Sequence, residues 1–381
     1  MIHSMTSDKR VRFKSTPKKS EFIKVLRQRV NAYFEDNNIS PYANGKMIFK
    51  TIFAMVAWVG VYAFIMSDVL SGSPFALIMT FMLLGFVNIF IAFNIMHDAT
   101  HDAYSGKQWI NDMMGYSMNF IGGNQYLFRR MHGAHHGYVN IQGIDVTLET
   151  HGMFRFTPDE PWQPKHKYQH IYTPILYALA MFHWVTIKDF KWFFAEKNIG
   201  NIKNITHPFK EYVILFIGKI VYFGLSLALP LMFLSSPVWA ILIGFVWMHI
   251  LPSLTFALIF QVTHIYEGTH YPLPDDDGNI ENNYALHVLE TTADFSRKKP
   301  LGTWLMGGIN IHVIHHIFPK ICHVHYDVLT DILKETAEEF GIEYHENPSF
   351  WVALKKHMWM LHHLSKKDAK VPRYGKSAMI V

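Results

Sequence analysis

Histidine is the residue this chain uses in excess, at 24 of 381 positions. Three runs concentrate it: His97-Asp98-Ala99-Thr100-His101, His132-Gly133-Ala134-His135-His136 and His312-Val313-Ile314-His315-His316. Each run sits in sequence that can be helical, where side chains three and four residues apart are neighbours on one face. Such a face offers two or three imidazoles to one metal centre. At this histidine frequency the HxxHH spacing is expected about 0.1 times by chance, and it occurs twice. The HxxxH spacing of His97 and His101 is expected more than once, so that pair takes its meaning from its position. His166 and His170 share the spacing without the position.

Neutral imidazole suits Zn, Cu, Fe and Ni, so ligand type alone leaves the metal open. Ligand number narrows it. Eight clustered histidines, nine with His264, overfill a single tetrahedral or octahedral centre and point to two ions. A structural zinc site normally recruits thiolates and closes at four ligands, and one cysteine, Cys322, cannot supply them. A redox-active iron pair with positions open to oxygen fits better. Soluble di-iron bundles use Glu and Glu-x-x-His ligands, so an all-histidine set is a different design. Asp98, Asp102 and Asp145 are close enough in sequence to orient imidazoles by accepting their second N–H; a solvated role is the alternative for each. His345, His357, His362 and His363 lie in the tail and are expected to bind no metal.

The elements that must position these residues are mostly apolar. Half the residues are hydrophobic and 17% are charged, against about 25% in a typical soluble domain. With a mean hydropathy of +0.08, this suggests a few membrane helices carrying a substantial water-facing part. Disorder is excluded by the apolar and aromatic content, a disulfide framework by the cysteine count. The formal charge of +5 is too small to suggest a nucleic-acid partner. Apolar runs at 47–70 and 74–96 flank Ser71-Gly72-Ser73, and runs at 212–234 and 238–262 flank Ser235-Ser236-Pro237. Each has about the 20 residues that a spanning helix needs, so they read as two antiparallel hairpins. Lys219 is expected to snorkel to the interface.

Ile171–Ile187 reads as a helix at the interface or in the core, and Met113–Gly123 is too short to cross. Both hairpin turns lack Lys and Arg, whereas residues 1–46 hold ten of them against four acids. The positive-inside rule then places the turns outside and the histidines in the cytoplasm. Three parts follow: a basic cytoplasmic segment 1–46, a main domain 47–345 and a cytoplasmic tail 346–381, in which Trp351–Leu364 reads as an amphipathic helix. No secretory signal peptide is visible, and the acid-poor first twenty residues leave an organelle transit peptide open. The expected fold is an all-α integral membrane protein, with four transmembrane helices in two hairpins and a helical cytoplasmic cap holding a di-iron site.

With these boxes in this order, the chain resembles the membrane fatty acid desaturases from about Phe75 to Asp331. Gly307-Gly308-Ile309-Asn310-Ile311-His312 through Pro319 is similar to the GGLNxQxxHHLFP signature of the front-end acyl desaturases, with His312 in place of the usual glutamine. Glu290–Phe295 and Cys322–Tyr326 also look like the family. The resemblance implies two iron ions held by His97, His101, His132, His135, His136, His264, His312, His315 and His316, with O2 as co-substrate. It implies a fatty acyl substrate, carried as acyl-CoA or acyl-lipid and given a cis double bond. The HPGG haem motif of fused cytochrome b5 domains does not occur, so electrons are expected from a separate cytochrome b5 or ferredoxin. Arg129, Arg130, Arg297 and Lys298 are candidates for an anionic head group, against a plain solvated face.

Related hydroxylases, epoxidising enzymes and carotenoid or sphingolipid oxidases share such boxes. A histidine-rich metal transporter would instead place ionisable groups inside its spans, where only His249 lies well within one. A structural zinc-binding adaptor is the remaining alternative.

Overall fold

In the computed structural model, residues 11–195, 198, 199 and 203–369 are described. The chain opens with helix α1 (Pro17–Asp36), then two apolar helices, α2 (Gly45–Met66) and α3 (Pro74–Thr100). Short α4 (Gln108–Gly115) leads to α5 (Gln125–Gly137) and the long, interrupted α6 (169–194). The second apolar pair is α7 (Phe209–Phe233) and α8 (Val238–His264). The cap continues with α9 (Tyr284–Thr291), α10 (His312–Ile317), α11 (Tyr326–Glu339) and α12 (Phe350–Leu364).

Among the described residues, helices α2, α3, α7 and α8 are the four that are long and apolar enough to cross a membrane. At about 1.5 Å per residue, 22 to 27 residues cover the roughly 30 Å hydrocarbon layer. Their bounds agree with the expected spans to within four residues. The turns of the two hairpins meet, because the Asp68 carboxylate accepts a hydrogen bond from the Ser235 N–H at 2.9 Å. Helix α8 lies so close along α3 that a Cβ on Gly85 would stand 2.0 Å from the Met248 carbonyl oxygen. Helix α6, not itself a span, packs on α8 through Ser253, whose hydroxyl accepts from the Met181 N–H and donates to the Tyr177 carbonyl.

Three π-bulges interrupt the long helices, at Ala92–Met96, Trp184–Lys188 and Gly224–Ala228. One added residue rotates the helix beyond it by about 100° and releases a carbonyl from the ladder. In α3 the His97 N–H reaches back to Ala92 and bypasses Phe93, against whose carbonyl Gly307 packs at φ +58°. In α6 the Asp189 N–H takes Trp184, and the bypassed Val185 carbonyl accepts from Lys219. In α7 the bypassed Leu225 carbonyl accepts from the Tyr62 hydroxyl. Lys219 therefore does not snorkel: it is buried, paired with Asp189 at 2.7 Å.

The cap closes through contacts between distant segments. Buried Phe22, Leu26, Val30 and Phe34, spaced by four, share one apolar core with Tyr326, Leu329, Leu333 and Ala337 of α11. Arg12–Phe13 pairs in parallel with Asn279–Ile280, and Asp294–Phe295 with Glu346–Asn347. Helix α12 is amphipathic as expected, burying Ala353, His357, Met360, Leu361 and Leu364 while exposing Trp351 and Trp359.

Gly85→Ala should cost about 1–3 kcal/mol through overpacking of α3 against α8. Gly60→Ala, where an added Cβ meets nothing within 4 Å, should leave thermal unfolding of the solubilised protein unchanged. Equal melting temperatures for the two variants would refute the close packing.

Candidate metal centre

Nine histidines from four elements converge in the cap. His97 ends α3 just beyond its π-bulge, with His101 one turn further on, half-buried. His132, His135 and His136 come from α5, which starts where the Asn124 side chain caps the Leu127 N–H at 3.0 Å. His264 closes α8, and His312, His315 and His316 fill α10 with no exposed surface. Nitrogens of His97, His101, His132 and His315 lie within 4.8 Å of one another, as do those of His135, His264, His312 and His316. His136 sits between the groups: its Nε2 is 2.9 Å from His315 Nε2 and 3.2 Å from His132 Nε2, while its ring stacks on His316 at 4.1 Å. All nine histidines expected from the sequence are thus together.

Outer nitrogens fix the tautomers of three of them. His135 Nδ1–H donates to Asp145, 3.0 Å from both carboxylate oxygens, and Thr147 braces that carboxylate. His312 Nδ1–H donates to the Ile309 carbonyl, and His264 Nδ1–H points at that of Thr291. Their Nε2 atoms therefore carry bare lone pairs. Yet Nε2 of His135 faces Nε2 of His264 at 3.3 Å. The buried His312 Nε2 and His101 Nε2 have no hydrogen-bond partner. Lone pairs aimed at each other with no proton between them repel, and a cation placed among them turns that cost into binding. The donor set fits a transition metal that prefers imidazole.

Protons are poor substitutes for that cation. Burial, followed by mutual repulsion, holds His101, His132, His136, His312, His315 and His316 well below the usual imidazole range. Burial raises Asp145, but His135 and its hydrogen bonds outweigh it and keep that carboxyl below its ordinary value.

The expected orienting acids divide. Asp145 performs that role on His135. Asp102 does not; it pairs with Arg129 at 3.1 Å and accepts from Gln108. Asp98 turns away from the clusters, its Oδ2 accepting from His323 Nδ1–H at 2.8 Å and from the Cys322 thiol at 3.0 Å. Asp98, Cys322 and His323 could in principle hold a further ion, but the Lys50 ammonium already lies 2.8 Å from His323 Nε2 and supplies the positive charge. Of the basic candidates, Arg129 also pairs with Asp112, and Arg297, little exposed, pairs with Asp327 and Asp331. Both are engaged within the protein rather than open to a head group. Arg130 stacks on the Tyr126 ring, and Lys298 is exposed. His166 is buried against the Gly152 carbonyl, His170 packs on His362, and His357 holds the Ile265 carbonyl.

Two supporting residues carried no signal in the spacing. Tyr326 places its hydroxyl 2.9 Å from His315 Nδ1. Asp294 accepts from the Val313 N–H at 2.9 Å, tying down the start of α10, and bonds to the Tyr344 hydroxyl. Burial lifts Asp294 to about 7. Both fall in stretches whose likeness to known desaturases was visible, although their partners were not.

Four spanning helices under a cap of two all-histidine clusters define a membrane enzyme built around a buried metal site. The fatty acid desaturase family matches residues 72–348. The sn-1 linoleoyl-lipid 6-desaturase of Arthrospira platensis is 32% identical over 336 residues, covering 87% of this chain and 89% of its own. The enzyme of the same name from Synechocystis sp. is 32% identical over 359 residues, covering 92% and 97%. An acyl-lipid (8-3)-desaturase from Physcomitrium patens is 30% identical over 343 residues, covering 88% and 70%. The chain belongs to the fatty acid desaturase family, and is a fatty acyl desaturase, an O2-dependent oxidoreductase with a histidine-cluster metal site.

Asp145→Asn should weaken metal binding by about 10–100-fold while membrane insertion persists, as read by metal analysis of purified protein. Acid should act in the same direction. Unfolded imidazoles titrate near 6.5, whereas the buried ones stay neutral to lower pH. For the six rings named above, the contribution to stability is complete above about 6.5 and is lost progressively as pH falls from there through their lower folded values. Metal content and thermal stability that do not change at all on acidification below about 6.5 would contradict this.

Proposed function

We propose that the two histidine groups hold two iron ions, with His136 joining the first group, and that the enzyme introduces a cis double bond into a lipid-linked fatty acyl chain. The facing imidazole lone pairs carry this reading. When bound, the irons supply the oxygen-dependent chemistry that removes hydrogen from an unactivated methylene pair, which side chains alone cannot do. What the chain contributes is placement. The α5 and α10 rings fill one dry volume, Asp145 and Tyr326 hold His135 and His315 in orientation, and the helix ends meet at one depth.

Beside the first group lies an apolar cavity lined by Ala92, Met96, Met118, Ile121, Gly123, Phe128, Met181, Trp184, Val185 and Phe256. Phe128 stacks on His132 at 5.0 Å, so this cavity adjoins the first histidine group. Methionine and aromatic walls suit a flexible hydrocarbon. Lipid linkage is supported by the names of the relatives, two of which act on linoleoyl-lipid. Reducing O2 to water while a substrate loses two hydrogens requires two electrons from outside, and a cytochrome b5 or ferredoxin is the donor class that suits this reading. The basic segment 1–46 and the hairpin turns, which lack Lys and Arg, support a cytoplasmic cap.

Expression in a desaturase-poor host, with gas chromatography–mass spectrometry of derivatised fatty acid esters, tests this reading. A new unsaturated acid is expected with the intact protein and should vanish with His135→Ala or His315→Ala, both still inserted. A hydroxy acid instead would move the enzyme to the oxygen-inserting branch. Purified protein without iron would overturn the metal assignment.

A further inference from the structure

Lys219 stands among apolar neighbours in α7, and its burial needs a reason. The ammonium has three protons and three acceptors: the Gly122 carbonyl at 2.6 Å, the Val185 carbonyl at 2.8 Å and Asp189 Oδ2 at 2.7 Å. Asp189 Oδ1 in turn accepts from the Trp184 indole N–H at 2.9 Å. Stability alone is a weak reason for such a pair, since apolar residues of similar volume often serve a buried site equally well.

The groups held are more telling. Gly122 stands between Ile121 and Gly123, which line the cavity beside the histidines, and Trp184 and Val185 line it from another side. One ammonium therefore ties two separate walls together. Both grips depend on unusual backbone. The Val185 carbonyl is free only because the π-bulge bypasses it. Gly122 adopts φ +98°, where a Cβ would also stand 2.8 Å from the Tyr222 ring.

We propose that the Lys219–Asp189 pair is a positioning device for the acyl cavity, fixing the spacing of its walls and so which methylene pair lies beside the metal centre. This rests on the cavity being the acyl site, as proposed above. One methylene of fit in an apolar pocket is worth about 10–200-fold in selectivity, so a loosened wall should be visible in the products.

The test is the full chain carrying Lys219→Met together with Asp189→Leu, which removes both charges and leaves neither unpaired. Lys219→Met alone would strand a buried carboxylate and is expected to accumulate poorly. In the double variant, metal per polypeptide should match the wild type, while the ratio of the main product to products of neighbouring double-bond position or chain length falls by about tenfold. An unchanged product profile with metal bound would overturn the proposal. So would a double variant that fails to accumulate or to bind metal, since the pair would then serve folding. A wild-type protein that makes no unsaturated product would fail the reading of the site, not this inference.

Discussion

The arrangement depends on one electrostatic problem: neutral imidazoles with lone pairs facing inward must be held in a dry volume until a cation joins them. Each ring on its own would turn its nitrogen toward water or a proton donor. Hydrogen bonds on outer nitrogens prevent this where the partner can only accept, as Asp145 does for His135 and the Ile309 carbonyl for His312. Much of the cap acts as support for those bonds. The Asp145 carboxylate accepts from Thr147 and from the Asn140 N–H, and the Asn140 side chain reaches the carbonyls of His264 and Thr291. Two histidine-bearing segments are thereby locked together through a residue that contributes no nitrogen to either cluster.

The spans provide the scaffold, and their irregularities matter more than their regular turns. A freed carbonyl in a low-dielectric setting is costly unless it finds a donor. In α6 and α7 a side chain from another helix, Lys219 or Tyr62, meets that cost. In α3 the bulge stands directly before His97 and sets the direction in which the helix end presents its imidazole, while Gly307 packs where a larger residue would collide. Insertions of one residue thus link helices whose apolar surfaces alone would define little beyond proximity.

How much of this was legible in the sequence follows from how local each signal is. The spans could be read because length and apolarity are properties of a single segment. The nine histidines could be read because helical spacing puts neighbours on one face, and His264 because it ends a span at the same depth. Asp145 lies ten residues from its partner and fell within reach of the same reasoning. Asp98 misled because proximity in sequence to His97 says nothing about His323, 225 positions away. Lys219 misled for a related reason: snorkelling is the default for an isolated lysine, and its three acceptors come from segments 30 to 97 residues earlier. The docking of α1 on α11 had a visible apolar stripe but no visible destination.

The parallel pairing of Arg12–Phe13 with Asn279–Ile280 carries a consequence for biogenesis. The first described residues must wait for a strand some 270 positions later before they are satisfied, and closing so long a loop comes late. The last cluster histidine, His316, emerges later still. During synthesis the hairpins can therefore enter the membrane while the cap stays open, and neither histidine group is complete until α10 has been made. The pairing of Arg12–Phe13 is thus among the last contacts the cap can complete.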